Sequence, residues 1–390
     1  MMFLPVDQLL TYVKQQLVRI CPRLEQHPNL RRGEFRGNWK DDWGVDSLEI
    51  LELAAFFHGQ FQMLQPGTTH YLLYDPLAES WFHKIQQAAN DPAIPMLFQT
   101  SGSTGTPKSC FHAKADLTQE VDYLATQFPL ANRIWSVVQA HHIYGFLFTV
   151  LLPTKLSCPV QDAQALPIPD LRMSPGDLLI GHPSWWQAWA QMNLPWQTGW
   201  RGVNSTGPLS PDTRTYFQGQ AGEMLEVYGS SETGGIGIRN VQEEAYTLFP
   251  FLQRENEQLI RISSAGDKHE LPLMDQLNWQ SARHFQLAGR KDQAVQVGGI
   301  NVFPLQIAAR LQTIPGIKQA WVRKMNPQEG TRLKALIMPE ESESIAPLQA
   351  KILDWIEGKL SVPERPRHLT FTQIPPTNEM GKVQDWLVST

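Results

Sequence analysis

Thr100-Ser-Gly-Ser-Thr-Gly-Thr-Pro-Lys108 follows directly on the strand-like run Ile94-Pro-Met-Leu-Phe-Gln99. Gly102 and Gly105 let the backbone fold tightly, so that successive N–H groups and the hydroxyls of Thr100, Ser101, Ser103 and Thr104 can surround phosphate oxygens. Lys108 adds a mobile point charge for the same oxygens. The spacing of Gly102 and Lys108 does not fit a Walker A loop. Taken alone, a Gly/Ser/Thr run also describes a flexible linker, so the segments around it must decide.

Outward from this loop the pattern changes twice. Residues 1–90 read as helical: Leu9, Leu10, Val13, Leu17 and Ile20 recur at helical spacing, Leu48 to Phe57 repeats it, and a third helix is expected from Leu77 to Ala89. From 91 to 289 strands and helices alternate, and the apolar runs Ile134-Trp-Ser-Val-Val, Asp177-Leu-Leu-Ile and Met224-Leu-Glu-Val-Tyr end in glycine- or hydroxyl-rich turns. That texture predicts an α/β sheet with ligands at the carboxyl ends of its strands. From 290 to 390 a smaller α+β unit is expected, with strands at Val295-Gln-Val, Ala320-Trp-Val-Arg and Leu333-Lys-Ala-Leu-Ile-Met and helices at Pro304–Gln312 and Leu348–Leu360.

At 390 residues the chain can hold two or three domains, and 42% hydrophobic with 18% charged residues is the balance of a globular protein. A net charge of -5 argues against nucleic acid as the main partner. Cys21, Cys110 and Cys158 are odd in number and widely spaced, which suits a reducing cytoplasm and gives neither a disulfide framework nor a zinc site. No signal peptide is expected from the first residues. The apolar run Gly145 to Leu152 is too short to cross a membrane. Trp185, Trp186 and Trp189 could line an aromatic pocket or pack as core.

Three further constellations carry chemistry. Val227-Tyr-Gly-Ser-Ser-Glu-Thr-Gly-Gly235 runs a strand into a glycine turn, presenting the Tyr228 ring and the Glu232 carboxylate beside Gly229, Ser230 and Ser231. The ring can stack on a base, and the carboxylate is a hard oxygen ligand suited to Mg²⁺ on a nucleotide. Ala288-Gly-Arg-Lys-Asp-Gln-Ala-Val-Gln-Val-Gly-Gly-Ile-Asn-Val-Phe-Pro304 sits at the boundary between the last two units, and Pro375-Pro-Thr-Asn-Glu-Met-Gly-Lys382 places a lysine on a glycine turn.

In this order, from about residue 95 to the end, these motifs resemble the adenylate-forming superfamily of acyl-CoA synthetases, peptide-synthetase adenylation domains and luciferases. The resemblance implies a large α/β domain, a small mobile C-terminal domain, and ATP, Mg²⁺ and coenzyme A as reactants. It implies that Thr100 to Lys108 enclose the β- and γ-phosphates, Tyr228 stacks on adenine, Glu232 holds Mg²⁺, and Asp275 with Arg290 binds ribose. Asp292 would be the hinge, and Lys382 would bridge the carboxylate and the α-phosphate as the adenylate forms. Gly298 and Gly299 would line the thiol's approach in the second step. The family's usual Thr-Gly-Asp around the ribose aspartate is missing here, and Gln306 and Ala308 replace its usual glutamates after Pro304.

Ala140-His-His-Ile-Tyr-Gly-Phe146 resembles the pocket segment of 4-coumarate–CoA ligases, implying that His142 gates and Tyr144 and Gly145 line an acyl pocket; the same residues could pack as a turn. Asn204-Ser-Thr-Gly-Pro-Leu209 resembles the segment that lets adenine and acyl ring approach the backbone at Ser205, Thr206 and Gly207. The compact length resembles the ligases that serve photoactive yellow protein, which implies p-coumaroyl-CoA as product. In place of the longer N-terminal lobe of typical relatives stands Trp43-Gly-Val-Asp-Ser-Leu-Glu-Ile-Leu-Glu-Leu53, which looks like the modification site of an acyl carrier protein, with Ser47 as the phosphopantetheine position. Asp46 and Glu49 also make a capping box that accounts for the same residues. Three readings stand side by side: an aryl acid–CoA ligase, an enzyme loading a carrier (its own Ser47 arm or a separate protein), and a nucleotide-binding relative without catalysis.

Overall fold

Asp177-Leu-Leu-Ile-Gly181 is buried at every position, as a parallel strand covered on both faces must be. Around it the computed structural model describes residues 2–63, 72–100, 108–256, 258–290, 294–341, 343–376 and 383–388, without the side chains of Thr100 and Arg290. The chain divides into two units, one of 1–100, 108–273 and 279–286, the other of 101–107, 274–278 and 287–390.

The first unit opens with α1 (Val6–Ile20), α2 (Pro28–Arg32), α3 (Ser47–Gln60) and α4 (Ala78–Asn90). The apolar stripe of α1 buries Leu9, Tyr12, Val13 and Leu17. Tyr12 meets Phe61 and Phe146 edge-on at 6.2 and 5.3 Å, so the N-terminal helices share a core with the rest of the unit. At the start of α3 the Asp46 carboxylate accepts from the Leu48 and Glu49 amides while Glu49 accepts from the Asp46 amide. A hairpin follows, β1 (Met96–Thr100) and β2 (Lys108–His112), then α5 (Lys114–Gln127). Lys114, buried at the start of α5, donates to the carbonyls of Ala88 and Asp91 at 2.7 and 2.6 Å and ties α4 to α5.

Strand and helix then alternate: β3 (Arg133–Ser136), α6 (Ile143–Phe146) running through a π turn into α7 (Leu152–Leu156), β4 (Val160–Asp162), β5 (Asp177–Gly181), α8 (Pro183–Gln191), β6 (Arg201–Asn204), α9 (Pro211–Gln218) and β7 (Glu223–Ser230). The five strands pair in parallel in the order β4-β3-β5-β6-β7. After β3 the chain goes first to β4 on one side and then to β5 on the other. This reversal makes the carboxyl ends of β3 and β5 a topological switch point, where α/β sheets bind ligands. Trp186, Trp189 and Trp196 are core, packed edge to face beside the sheet. Trp186 lies so close to β5 that a Cβ on Gly181 would stand 2.7 Å from its ring.

Antiparallel strands β8 (Gly234–Asn240) and β9 (Tyr246–Leu248) widen the sheet. β10 (Leu252–Glu255), β11 (Gln258–Ile262) and β12 (Lys268–Leu271) form a separate three-stranded sheet, and β13 (Asp275–Trp279) and β14 (His284–Arg290) complete a nine-stranded order β13-β14-β9-β8-β7-β6-β5-β3-β4.

In the second unit β15 (Val295–Val297) and β16 (Ile300–Val302) form a hairpin, followed by α10 (Pro304–Leu311), β17 (Ile317–Lys324), β18 (Leu333–Pro339), α11 (Ile345–Lys359) and β19 (Pro366–Phe371). β17 pairs antiparallel and β19 parallel to β18. Its core gathers Val302, Ile307, Leu311, Leu333, Ile337 and Ile352. No helix among the described residues is long and apolar enough to cross a membrane.

Candidate active site

Three of the stretches singled out in the sequence follow the ends of parallel strands. β3 leads into His141 and His142, β6 ends at Asn204 before Ser205, Thr206 and Gly207, and β7 carries Tyr228 to Ser230 up to Glu232. Beside them stands the hairpin whose last pair is Thr100 and Lys108, so the strands bracket the loop between them. Residues 101–107 themselves, with Ser101, Gly102, Ser103, Thr104 and Gly105, lie outside the described residues, as does the Thr100 side chain.

Lys108 and Glu232 face each other, Nζ to Oε1 3.5 Å apart, with side chains 64% and 21% exposed. The turn that carries Glu232 is pinned on both sides. His112 on β2 donates from Nε2 to the Ser231 carbonyl at 2.7 Å; because a carbonyl only accepts, Nε2 carries the proton. Burial holds the His112 imidazolium below its usual range, with the Ser231 bond acting in the opposite sense. Thr233 Oγ1 accepts from the Ser230 amide at 3.1 Å. On the far side the Gly235 amide donates to the Glu120 carboxylate at 2.8 Å. Gly229 packs against the turn's own backbone, where a Cβ would stand 2.3 Å from the Gly234 carbonyl oxygen. Cys110, next to the loop, is buried, and burial followed by the Glu232 charge pushes its thiol up to about 11, so it stays protonated.

Reading the sequence missed Glu120. It sits on α5, fully buried, and burial raises its carboxyl to about 7 against the opposing pull of Arg261. The signal was present: Leu117, Glu120, Val121 and Leu124 make one buried stripe, and a carboxylate on such a stripe needs a partner.

On the side of β3 and β6, the His141 and His142 rings lie 4.2 Å apart. His142 is exposed; the packed surroundings and then the Arg19 charge keep its imidazolium below the usual range. His141 is pushed down to about 3 by burial, then by His142 and Arg19. Tyr144 is buried, and its hydroxyl lies 3.0 Å from the Gly181 carbonyl oxygen and 2.9 Å from that of Val203. It fastens the ends of β5 and β6 together and spends its polar atom on the sheet. Gly145 has no room for a side chain: a Cβ would stand 2.0 Å from the Gln139 carbonyl oxygen. Asn204 is buried; its Nδ2 donates to the Gly207 carbonyl at 2.8 Å, while its Oδ1 has no hydrogen-bond partner among the described residues. Thr206 takes a left-handed backbone, φ 68°. Tyr228 is half-buried, its ring 5.9 Å from Tyr246 and 5.7 Å from Phe285.

Asp275 is the first residue of β13. Gly298 and Gly299, φ 61° and 80°, form the two-residue turn of the β15–β16 hairpin, with positive φ at both positions as such a turn requires. Asp292 and Lys382 lie outside the described residues, as does the Arg290 side chain. Ser47 is exposed as the first residue of α3.

Residues 26–253 match the family described as AMP-binding enzyme. The 4-coumarate–CoA ligase of Rhodobacter capsulatus is 34% identical over 95% of this chain and 98% of its own length. The 4-coumarate–CoA ligase of Halorhodospira halophila is 33% identical over 87% and 88%. Among solved structures, an o-succinylbenzoate CoA synthetase from Bacillus subtilis superposes with a TM-score of 0.59 at 14% identity, covering 77% of this chain and 73% of that one. The chain belongs to the AMP-binding enzyme family and has the adenylate-forming fold, and in class it is an AMP-forming acid–thiol ligase.

Proposed function

We propose that this enzyme activates an aryl carboxylic acid, p-coumarate foremost, with ATP and passes the acyl group to coenzyme A. The observation that carries the reading is the Lys108–Glu232 pair: an exposed ammonium and a partly buried hard carboxylate 3.5 Å apart, across a hairpin and a strand end. That is a donor set for a nucleotide polyphosphate with its divalent cation. Mg²⁺ is commonly held by one or two carboxylates and the substrate's phosphates, so a single carboxylate fits it. When bound it would neutralise charge on the phosphate oxygens.

In the first step a carboxylate oxygen of the acid bonds to the α-phosphorus, the bond to the β-phosphate oxygen breaks, and pyrophosphate leaves with the electron pair. The acid is already ionised at neutral pH, so no general base is needed. Lys108 holds the departing phosphates, and Lys382 stabilises charge on the α-phosphate oxygens as it bridges them to the acid. Tyr228 offers a ring face to adenine, and the unsatisfied Asn204 Oδ1 suits an amino donor. Asp275 and Arg290 bind the ribose. His142, kept neutral, closes the aryl pocket without adding a cation beside the carboxylate. In the second step the 290–390 domain turns about Asp292, Lys382 withdraws, and the Gly298–Gly299 turn lines the path of the thiol, whose sulfur bonds to the acyl carbon as the bond to the AMP oxygen breaks and whose proton passes to solvent.

Relatives named 4-coumarate–CoA ligase support p-coumarate as the acid. The resulting cytoplasmic thioester is suited to supply the chromophore of a photoactive yellow protein, by acyl transfer to a cysteine thiol. Pyrophosphate exchange across p-coumarate, caffeate, cinnamate, benzoates and fatty acids, followed by chromatography of the CoA products, tests this. A preference for fatty acids, or exchange without thioester, would sink it.

A further inference from the structure

Glu120 is an expensive residue to keep. It is 1% exposed on the core stripe of α5, where a leucine would pack without desolvating a carboxylate. Its counter-charge is Arg261 on β11, whose Nη1 lies 3.7 Å from Glu120 Oε2 and whose Nε lies 3.5 Å from Asp116 Oδ1. The guanidinium also sits 4.5 Å over the Phe251 ring. This buried group does not end in itself. Glu120 Oε1 accepts the Gly235 amide proton at 2.8 Å. The carboxylate lies against the two glycines so closely that a Cβ on Gly234 would stand 2.6 Å from Oε2, and one on Gly235 2.5 Å from Oε1. Gly234 takes φ 69°. The Gly234-Gly235 pair thus lets the turn lie close over this carboxylate, into which side chains at these positions would press.

Glu232 stands two residues before that pair. Upstream, the Ser231 carbonyl is held by His112 and the Ser230 amide by Thr233; downstream, the Gly235 amide is the anchor reaching into another element. We propose that Glu120 is a positioning residue for Glu232, a role that rests on Glu232 being the carboxylate that faces Mg²⁺ in the reaction proposed above. Glu120 acts as a fixed acceptor beneath the turn: it sets the height at which Glu232 presents its oxygens beside Lys108, and Arg261 and Asp116 keep it in place.

The test uses the full chain and titrates ATP calorimetrically over a series of Mg²⁺ concentrations. Glu120→Leu keeps the volume but removes the acceptor; Glu120→Gln keeps the acceptor without the charge. Glu120→Leu is expected to raise the half-saturating Mg²⁺ about tenfold or more and to speed hydrogen exchange at the Gly235 amide. Glu120→Gln should stay within about twofold of wild type on both measures, since its carbonyl can still take the Gly235 bond. If Glu120→Leu fails to fold, Glu120→Asp, which withdraws the carboxylate by one methylene, replaces it with the same expected direction. An unchanged Mg²⁺ requirement in Glu120→Leu would overturn the proposal. So would a Glu120→Gln variant as impaired as Glu120→Leu, or an ATP affinity lowered equally at every Mg²⁺ concentration. Silence of the wild type towards every acid would instead sink the acyl-transfer reading, which this titration does not use.

Discussion

The Lys334 ammonium lies 2.6 Å from the carbonyl oxygen of Trp386, joining the middle strand of the second unit's sheet to the end of the chain. Lys334 is wholly buried, and its ammonium also meets Glu329 at 2.7 Å and Asp385 at 2.9 Å. Arg323 donates to the Val383 carbonyl, and Glu329 accepts from the Val388 amide. Residues 383–388 are therefore clamped onto β17 and β18 immediately after Lys382.

This clamp holds the residues that follow Lys382, the lysine that the proposed reaction uses for adenylation. Lys334→Met is expected to free residues 383–388 to proteolysis and to lower pyrophosphate exchange about 10–100-fold, the scale of a misplaced reacting group. Thioester formation from presynthesised acyl-adenylate should fall far less. Following both half-reactions with a timed trypsin digest checks it; equal loss in both would count against the assignment.

Lys334 also shows where the sequence was legible and where it was not. Leu333, Ala335 and Ile337 alternate as a strand should, and that strand was readable; Lys334 points to the opposite face and reads as solvated, because nothing local says that residues 383–388 cover it. The same holds for the sheet. β3, β5 and β7 announce themselves by largely apolar runs, whereas β8, with five glycines or polar residues among its seven (Gly234-Gly-Ile-Gly-Ile-Arg-Asn240), has no period to read. At the site, glycine and hydroxyl patterns pointed to Lys108, Tyr228 and Glu232, because local backbone geometry dictates those residue types. Glu120 and Arg261 act through long-range packing, and only the carboxylate on an apolar helical stripe hinted at them.

Lys108→Met separates binding from stability. The lysine is mostly exposed and its partner is 3.5 Å away, so the pair is worth at most about 1 kcal/mol to the fold. The melting temperature should stay where it is while exchange drops about 100-fold or more. A large fall in melting temperature would mean that the lysine's work is structural.

Gly145→Ala addresses the acyl side. The added methyl would collide with the Gln139 carbonyl, forcing the segment after His142 to shift at a cost of about 1–3 kcal/mol, typical of overpacking. Denaturant melts should show that loss, and the KM for the aryl acid should rise more than the KM for ATP. Equal rises would dissociate this segment from the acid.

Lys382→Ala should suppress adenylate formation and leave ATP binding largely intact, which calorimetry and exchange measure side by side. Asp292→Pro, stiffening the expected hinge, should impair thioester formation more than adenylation, since only the second step needs the rotated domain. Unchanged exchange in the first variant, or equal losses in the second, would refute the respective role.

Glu120 makes stability depend on pH in a direction opposite to that of most carboxylates. Its carboxyl is raised from 4.5 to about 7 by burial, so the folded chain binds this proton more tightly than the unfolded chain does. The stabilising contribution is complete below pH 4.5, declines as pH rises, and is gone above about 7. The Arg261 charge lowers the carboxyl and limits the effect without reversing it. Glu120→Gln has no proton to lose there. Between pH 4.5 and pH 8 the wild type should lose about 3 kcal/mol more unfolding free energy than Glu120→Gln does. Urea melts of both proteins at half-unit intervals measure the difference, and parallel profiles would show that Glu120 is ionised throughout, held so by Arg261 and the Gly235 amide.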